Sequence, residues 1–140
     1  MVTLLRRRWS DAGFIYLASL TAVLVGLALK LVVARPRPSA ELVRAYDPSQ
    51  SYSFPSIIAF FSVVLLGAIV YLIWRTQLPR SVLRFALGAS SVLVLALGLS
   101  RVYVGEHWAT DVLGGWLFGA AWLLALVWLK QSLVLRRGRV

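Results

Sequence analysis

The chain has 140 residues, of which 60% are hydrophobic and only 14% charged, a balance outside the range of ordinary soluble domains. Cysteine is absent, which excludes disulfides and thiolate metal sites and leaves the redox compartment unmarked. The formal net charge of +10 would suit a nucleic-acid binder, but the basic residues stand at the ends of apolar stretches, where lipid headgroups are their natural partners, so no nucleic-acid partner is expected.

A hydrocarbon core of about 30 Å takes about 20 apolar residues in helical form, and four stretches meet that need. The first predicted span covers residues 13–34, after Arg6, Arg7 and Arg8, with Ser10 or Asp11 as its N-cap. Its apolar run exceeds the roughly 7 to 15 residues of a signal-peptide core, and no small-residue cleavage site follows, so it reads as a span and not as a cleaved leader. Residues 35–54 form a polar loop in which Pro36, Pro38 and Pro48 oppose continuous helix. The second span, 55–74, opens on Pro55, a favourable first helical residue, and ends in a basic turn over 75–80. The third span covers 82–100. The fourth covers 107–130, starting at His107, and is followed by Arg136, Arg137 and Arg139. The expected fold class is all-α: an integral membrane bundle of about four transmembrane helices forming one domain over residues 1–140.

Four spans put both termini on one side of the membrane. Arg6 to Arg8, Arg75, Arg80, Arg84, Lys130 and the tail arginines fall on that side, against Lys30, Arg35, Arg37, Arg44 and Arg101 on the other. The bias of basic residues towards the cytoplasm then predicts cytoplasmic termini and an outward-facing loop over 35–54.

Three patterns gather on the outer side. Lys30 and, seven residues on, Arg37-Pro38 offer a mobile point charge and a planar fork of donors, a pair suited to a tetrahedral dianion. Snorkelling to lipid headgroups would explain either cation alone. Ser53-Phe54-Pro55-Ser56 opens the second span, where free amides and the helix dipole favour an anion, although a Pro-Ser pair there also serves as a plain cap. Ser100-Arg101, then His107, Asp111 and Gly114-Gly115 form the most specific pattern. His107 and Asp111 stand four apart, on one face of the predicted helix, so the carboxylate can hold one ring nitrogen and leave the other as nucleophile or base. An ionisable cluster at a membrane boundary is a functional candidate by default.

Taken together, residues 30–38, Phe54-Pro55-Ser56 and residues 100–111 resemble the three signatures of the type 2 phosphatidic acid phosphatase family, which also includes the vanadium haloperoxidases. The resemblance extends over nearly the whole chain. It implies a metal-independent and cofactor-free membrane phosphatase acting on a phosphorylated lipid, either a lipid phosphate or a prenyl diphosphate, with its pocket at the extracytoplasmic face of the plasma membrane. Lys30, Arg37, Arg101 and Ser56 would bind phosphate. His107 would attack phosphorus to give a phosphohistidine, and Asp111 would support the imidazole.

The second signature departs from the family pattern. Where the family continues Gly-His after Pro-Ser, this chain has Ile57 and Ile58. The glycine would let backbone approach phosphate, and the histidine would protonate the leaving oxygen, a role worth about 10² to 10⁴ in rate. Impaired catalysis is therefore expected, favouring diphosphates over phosphatidate because their leaving groups need less protonation, with Glu106 or Tyr103 as alternative proton donors. A second class is a catalytically degenerate binder of phosphorylated lipid, and a third is a small bundle whose polar ends merely anchor it. The four spans correspond to the last four of the family's six helices. The faces left open would be covered by a second copy or by missing chain, and Gly114, Gly115, Gly119 and Ala120 would pack either within the bundle or between copies.

Overall fold

The computed structural model describes residues 2–39, 41–43 and 51–137. Arg44, Pro48 and Arg139 lie outside the described residues, as do the side chains of residues 2–8 and 134–137, which include Arg6 to Arg8, Arg136 and Arg137. Four helices follow in order: α1 (Val2–Val33), α2 (Ile57–Arg75), α3 (Arg80–Tyr103) and α4 (Ala109–Arg137). Each is long and apolar enough to cross a membrane, over Trp9–Val33, Ile57–Arg75, Arg80–Tyr103 and Ala109–Leu133. Large apolar side chains such as Leu17, Leu24, Leu117 and Trp128 are exposed on the outside of the bundle, as a lipid-facing surface requires.

The helix starts differ from the sequence expectation for identifiable reasons. α1 runs through Ser10 and Asp11 without a cap; Asp11 instead accepts from Lys130 of α4 at 2.8 Å, with Arg75 of α2 at 3.9 Å. Pro55 precedes α2 instead of opening it, because Ser56 takes the N-cap position; the Phe54–Pro55 bond is cis. α4 begins at Ala109, two residues after His107, because Asp111 in its first turn reaches back to accept from the Trp108 amide at 2.8 Å. That is the return half of a capping box, and it fixes where the helix can start.

The contact of Asp11 with Lys130 and Arg75 gathers the start of α1 and the ends of α2 and α4 at one end of the bundle. The segments 34–56 and 104–108 therefore lie at the other end. α2 is the central helix: it touches the other three, whereas α1 and α3 do not meet. Phe60 and Val64 of α2 are buried with Ala18 and Ala22 of α1, and Trp122 and Leu126 of α4 close the cluster.

In lipid, apolar contact alone gives helices little reason to associate, so close approach and hydrogen bonding carry the packing. α4 comes down onto the backbone of α2 at two glycines. A Cβ on Gly115 would sit 2.7 Å from the Ser56 carbonyl oxygen, and one on Gly119 would sit 2.8 Å from that of Phe60. Gly114 faces the Phe54 ring. All three are thus used inside the bundle. Trp122 adds a hydrogen bond to Thr21 of α1 at 3.2 Å.

Candidate active site

α1 ends where Ala34 adopts a left-handed conformation, φ 48°, and donates back to the Lys30 carbonyl at 2.9 Å. The chain then turns across the mouth of the bundle as Arg35-Pro36-Arg37-Pro38. Lys30, in the last turn of α1, is almost fully buried and reaches the carbonyls of Tyr52 and, at 3.5 Å, Ser53. Arg37 spreads its guanidinium between two elements: Nε donates to the Ser51 carbonyl at 2.9 Å, and NH1 donates to the Glu106 carbonyl at 2.8 Å.

Asp111 anchors the centre. It is fully buried, and its carboxylate is saturated. Oδ1 pairs with Arg35 NH1 at 2.8 Å, while Oδ2 accepts from the Trp108 amide and from the Ser53 hydroxyl. Its carbonyl accepts from the Ser56 amide at 3.0 Å, which ties the start of α2 to the start of α4. Arg35 also donates to Thr110 Oγ1 at 2.6 Å and stacks 5.4 Å from the Trp108 ring centre.

His107 lies in the turn before α4, 6% exposed, with its amide on the Arg101 carbonyl at 3.3 Å. Its Nδ1 faces Asp111 Oδ2 at 3.5 Å, an electrostatic contact without hydrogen-bond alignment, so Nδ1 has no hydrogen-bond partner among the described residues. The two residues meet as expected, but not as neighbours on one helical face. Burial, then the charges of Arg37 and Lys30, push the imidazole down from its usual 6.5 to about 4, against the opposing pull of Asp111. The ring is therefore neutral at physiological pH, with a lone pair available.

Arg101, in the last turn of α3, pairs with Glu106 Oε2 at 3.3 Å. Gly105, at φ 75°, makes the turn that brings Glu106 back to it, a conformation that favours glycine. Tyr103 is 92% exposed.

Five of the expected residues, Lys30, Arg37, Arg101, His107 and Asp111, thus collect at one end of the bundle. Ser56 is buried, but its amide is engaged by the Asp111 carbonyl and its hydroxyl has no hydrogen-bond partner among the described residues. Ile57 lies against Gly26 of α1, within 3.3 Å of where a Cβ would stand. With Ile58 it lines a cavity of about 380 Å³ whose walls include Val23, Phe61, Ser62, Leu93 and Leu97. Among the described residues no group of three or more histidines or carboxylates is placed to hold a metal ion.

Sequence reasoning counted Arg35 only as loop charge and gave Ser53 no role beyond the cap pattern. The doubled Arg-Pro at 35–38 was the one available signal for Arg35. Its partner lies 76 residues away and could not be read.

Residues 12–134 match the family model of the PAP2 superfamily. The chain is 34% identical over 102 residues to an undecaprenyl-diphosphatase of Sulfolobus acidocaldarius, covering 71% of this chain and 45% of that one. It is 34% identical over 120 residues to phosphatidylglycerophosphatase B of Bacillus subtilis, covering 81% and 55%. The chain therefore spans about half the length of the curated relatives it matches. The crystal structure of a transmembrane PAP2-type phosphatidylglycerolphosphate phosphatase from Bacillus subtilis superposes with a TM-score of 0.77 at 26% identity, over 87% of this chain and 60% of that one.

Proposed function

The chain belongs to the PAP2 superfamily, and from that premise we propose that it is a membrane lipid phosphatase working through a phosphohistidine on His107. The observation that carries this reading is the setting of that residue: a buried imidazole, held neutral, beside two cations it does not pair with. A neutral imidazole is a competent nucleophile, and Lys30 and Arg37 supply the positive field that a phosphoryl group needs as charge spreads over its oxygens.

Nδ1 faces Asp111, so Nε2 is the attacking nitrogen. It bonds to phosphorus as the bond to the leaving oxygen breaks, and Asp111 stabilises the imidazolium that forms. Water then attacks phosphorus, the bond to nitrogen breaks, and inorganic phosphate leaves. Lys30, Arg37 and Arg101 hold the phosphoryl oxygens throughout, and no metal or other cofactor takes part.

Ile57 and Ile58 bear on the substrate. Both face an apolar cavity, so nothing on α2 there can protonate a leaving group. A lipid diphosphate expels a phosphate monoester, a much weaker base than an alkoxide, and is the substrate class this site handles best. The named relatives are an undecaprenyl-diphosphatase and a phosphatidylglycerophosphatase, and prenyl diphosphate fits the present site better. The distribution of basic residues supports cytoplasmic termini and the site on the extracytoplasmic face, and the proposed membrane is the plasma membrane.

The test is phosphate release from a prenyl diphosphate by the chain in liposomes, with denaturing capture of the phosphorylated intermediate. Release and label are both expected to vanish in His107→Ala. Undiminished release in that variant removes the mechanism. The same two isoleucines favour a second reading, a degenerate binder of phosphorylated lipid. That reading is selected if the unaltered chain releases no phosphate but still binds prenyl-diphosphate liposomes through Arg37 and Arg101.

A further inference from the structure

We infer that Glu106 is the proton donor to the leaving group, in place of the side chain that Ile58 cannot provide. This rests on the phosphatase reading above and adds a catalytic residue to it. Both arginines assigned to phosphate close on Glu106: Arg101 on its carboxylate at 3.3 Å, and Arg37 on its main-chain carbonyl at 2.8 Å. Any phosphoryl group seated between those guanidinium groups lies against this residue. Glu106 also directly precedes His107, and the amides of both donate to the Arg101 carbonyl, at 3.2 and 3.3 Å. Nucleophile and acid thus hang from one oxygen. The alternative donor, Tyr103, is 92% exposed, whereas Glu106 is largely enclosed against Arg101.

Before substrate arrives, the Glu106 carboxylate occupies Arg101, much as a phosphate oxygen would. An incoming phosphoryl group takes that guanidinium, and the carboxylate released from Arg101 takes up one proton from water at the mouth of the site. As His107 Nε2 bonds to phosphorus and the bond to the leaving oxygen breaks, the carboxyl proton passes to that oxygen. In the second half, the carboxylate takes a proton from the attacking water as the phosphorus–nitrogen bond breaks. Phosphate leaves and the acid is restored. When phosphate has gone, Arg101 closes on the carboxylate again and the borrowed proton returns to water, so the cycle balances.

A donor matters most where the leaving group is a strong base. Phosphatidate, which expels an alkoxide, and a prenyl diphosphate, which expels a phosphate monoester, are therefore the two probes, assayed in liposomes with the unaltered chain, Glu106→Gln and His107→Ala. Glu106→Gln keeps the shape and an acceptor for Arg101 but has no proton to give. Its turnover of phosphatidate is expected to fall at least about tenfold further than its turnover of prenyl diphosphate, within the 10² to 10⁴ typical of a general acid. Equal losses on the two substrates, or no loss, overturn the assignment. The unaltered chain gives a second measurement across a series of aryl phosphates. A working donor flattens the dependence of turnover on phenol acidity, and a steep dependence overturns the proposal even if Glu106→Gln does not fold. If the unaltered chain releases phosphate and His107→Ala does not, the phosphatase reading stands whatever becomes of Glu106. If the unaltered chain releases none from any substrate, that reading falls and the donor with it.

Discussion

Arg35 and Asp111, 76 residues apart, are joined by a 2.8 Å ion pair that fastens the segment after α1 to the first turn of α4. Asp111 is wholly buried and also accepts from Ser53 and the Trp108 amide, so the pair sits in a satisfied network of the kind whose members depend on one another.

Removing Arg35 leaves a buried carboxylate short of its cation. Truncating one partner of a fully buried pair costs about 3 to 5 kcal/mol. Arg35 is 35% exposed, so water recovers part of that loss. Arg35→Ala is expected to lower stability by roughly 1.5 to 3 kcal/mol, the range for a hydrogen bond to a charged group. In Arg35→Ala/Asp111→Asn the loss should be smaller than the sum of the two single losses, because the uncompensated charge is gone. Thermal unfolding in detergent micelles measures both, and strict additivity would show that the pair carries no coupling.

The environment of His107 makes a prediction about pH. Burial and the charges of Arg37 and Lys30 favour the neutral ring, so the proton is lost on raising the pH through about 4 instead of through 6.5. His107 is the only histidine, so its imidazole resonances can be followed without assignment in a histidine-labelled sample. A midpoint near 4 is expected, and activity limited by this group should persist down to about pH 5. Arg37→Met removes a lowering charge and should move the midpoint up; Lys30→Met should act in the same direction with less effect. A midpoint at or above 6.5 in the unaltered chain would contradict the electrostatic account.

How much of this was legible in the sequence depends on range. The four apolar runs announced four helices, because their length and composition are local properties. Most residues of the candidate site could be named because Lys30 to Arg37 and Arg101 to Asp111 lie close in sequence. Helix starts were less accessible: α4 begins at Ala109 because Asp111 caps Trp108, and the i, i+4 spacing to His107 suggested a longer helix. Ser56 was expected to offer its amide to phosphate, but that amide is used by the Asp111 carbonyl across the bundle. The bond of Arg35 to Asp111 was hidden for the same reason. Partner choice among the loop cations is decided by tertiary packing, which spacing along the chain does not encode.

The approach of α4 to α2 separates two glycines of the same composition but different surroundings. A Cβ at Gly115 would stand 2.7 Å from a backbone oxygen and 3.0 Å from the Phe60 nitrogen, none of which can move aside without shifting a helix. Gly115→Ala is expected to cost about 1 to 3 kcal/mol, the usual penalty for overpacking. It should also reduce turnover by displacing Asp111, one turn earlier, relative to Ser56. Gly88 of α3 has nothing within 4 Å of its would-be Cβ. Gly88→Ala should therefore be neutral or stabilise by up to about 1 kcal/mol through helix propensity. Equal effects at the two positions, read from thermal unfolding, would mean that the helices do not approach as closely as the structure has them.

Ile57 and Ile58 set the last expectation, because restoring glycine and histidine there acts on stability and on chemistry in opposite directions. Ile57→Gly removes the side chain that packs on Gly26 and adds about 1 kcal/mol of helix propensity cost in the first turn of α2. Ile58→His puts a polar ring at the edge of a cavity lined mostly by apolar side chains such as Phe61, Leu93 and Leu97, a modest penalty since position 58 is 39% exposed. The double variant should therefore unfold at lower temperature. Introduced into Glu106→Gln, where the native donor is removed, the pair should nevertheless raise turnover of phosphatidate, by up to the 10² to 10⁴ that a positioned acid provides, while turnover of a prenyl diphosphate rises much less. The comparison of the two substrates is what matters. A matching rise on both would mean that the isoleucines limit phosphate binding, and no rise on either would mean that protonation of the leaving group is not what limits this chain.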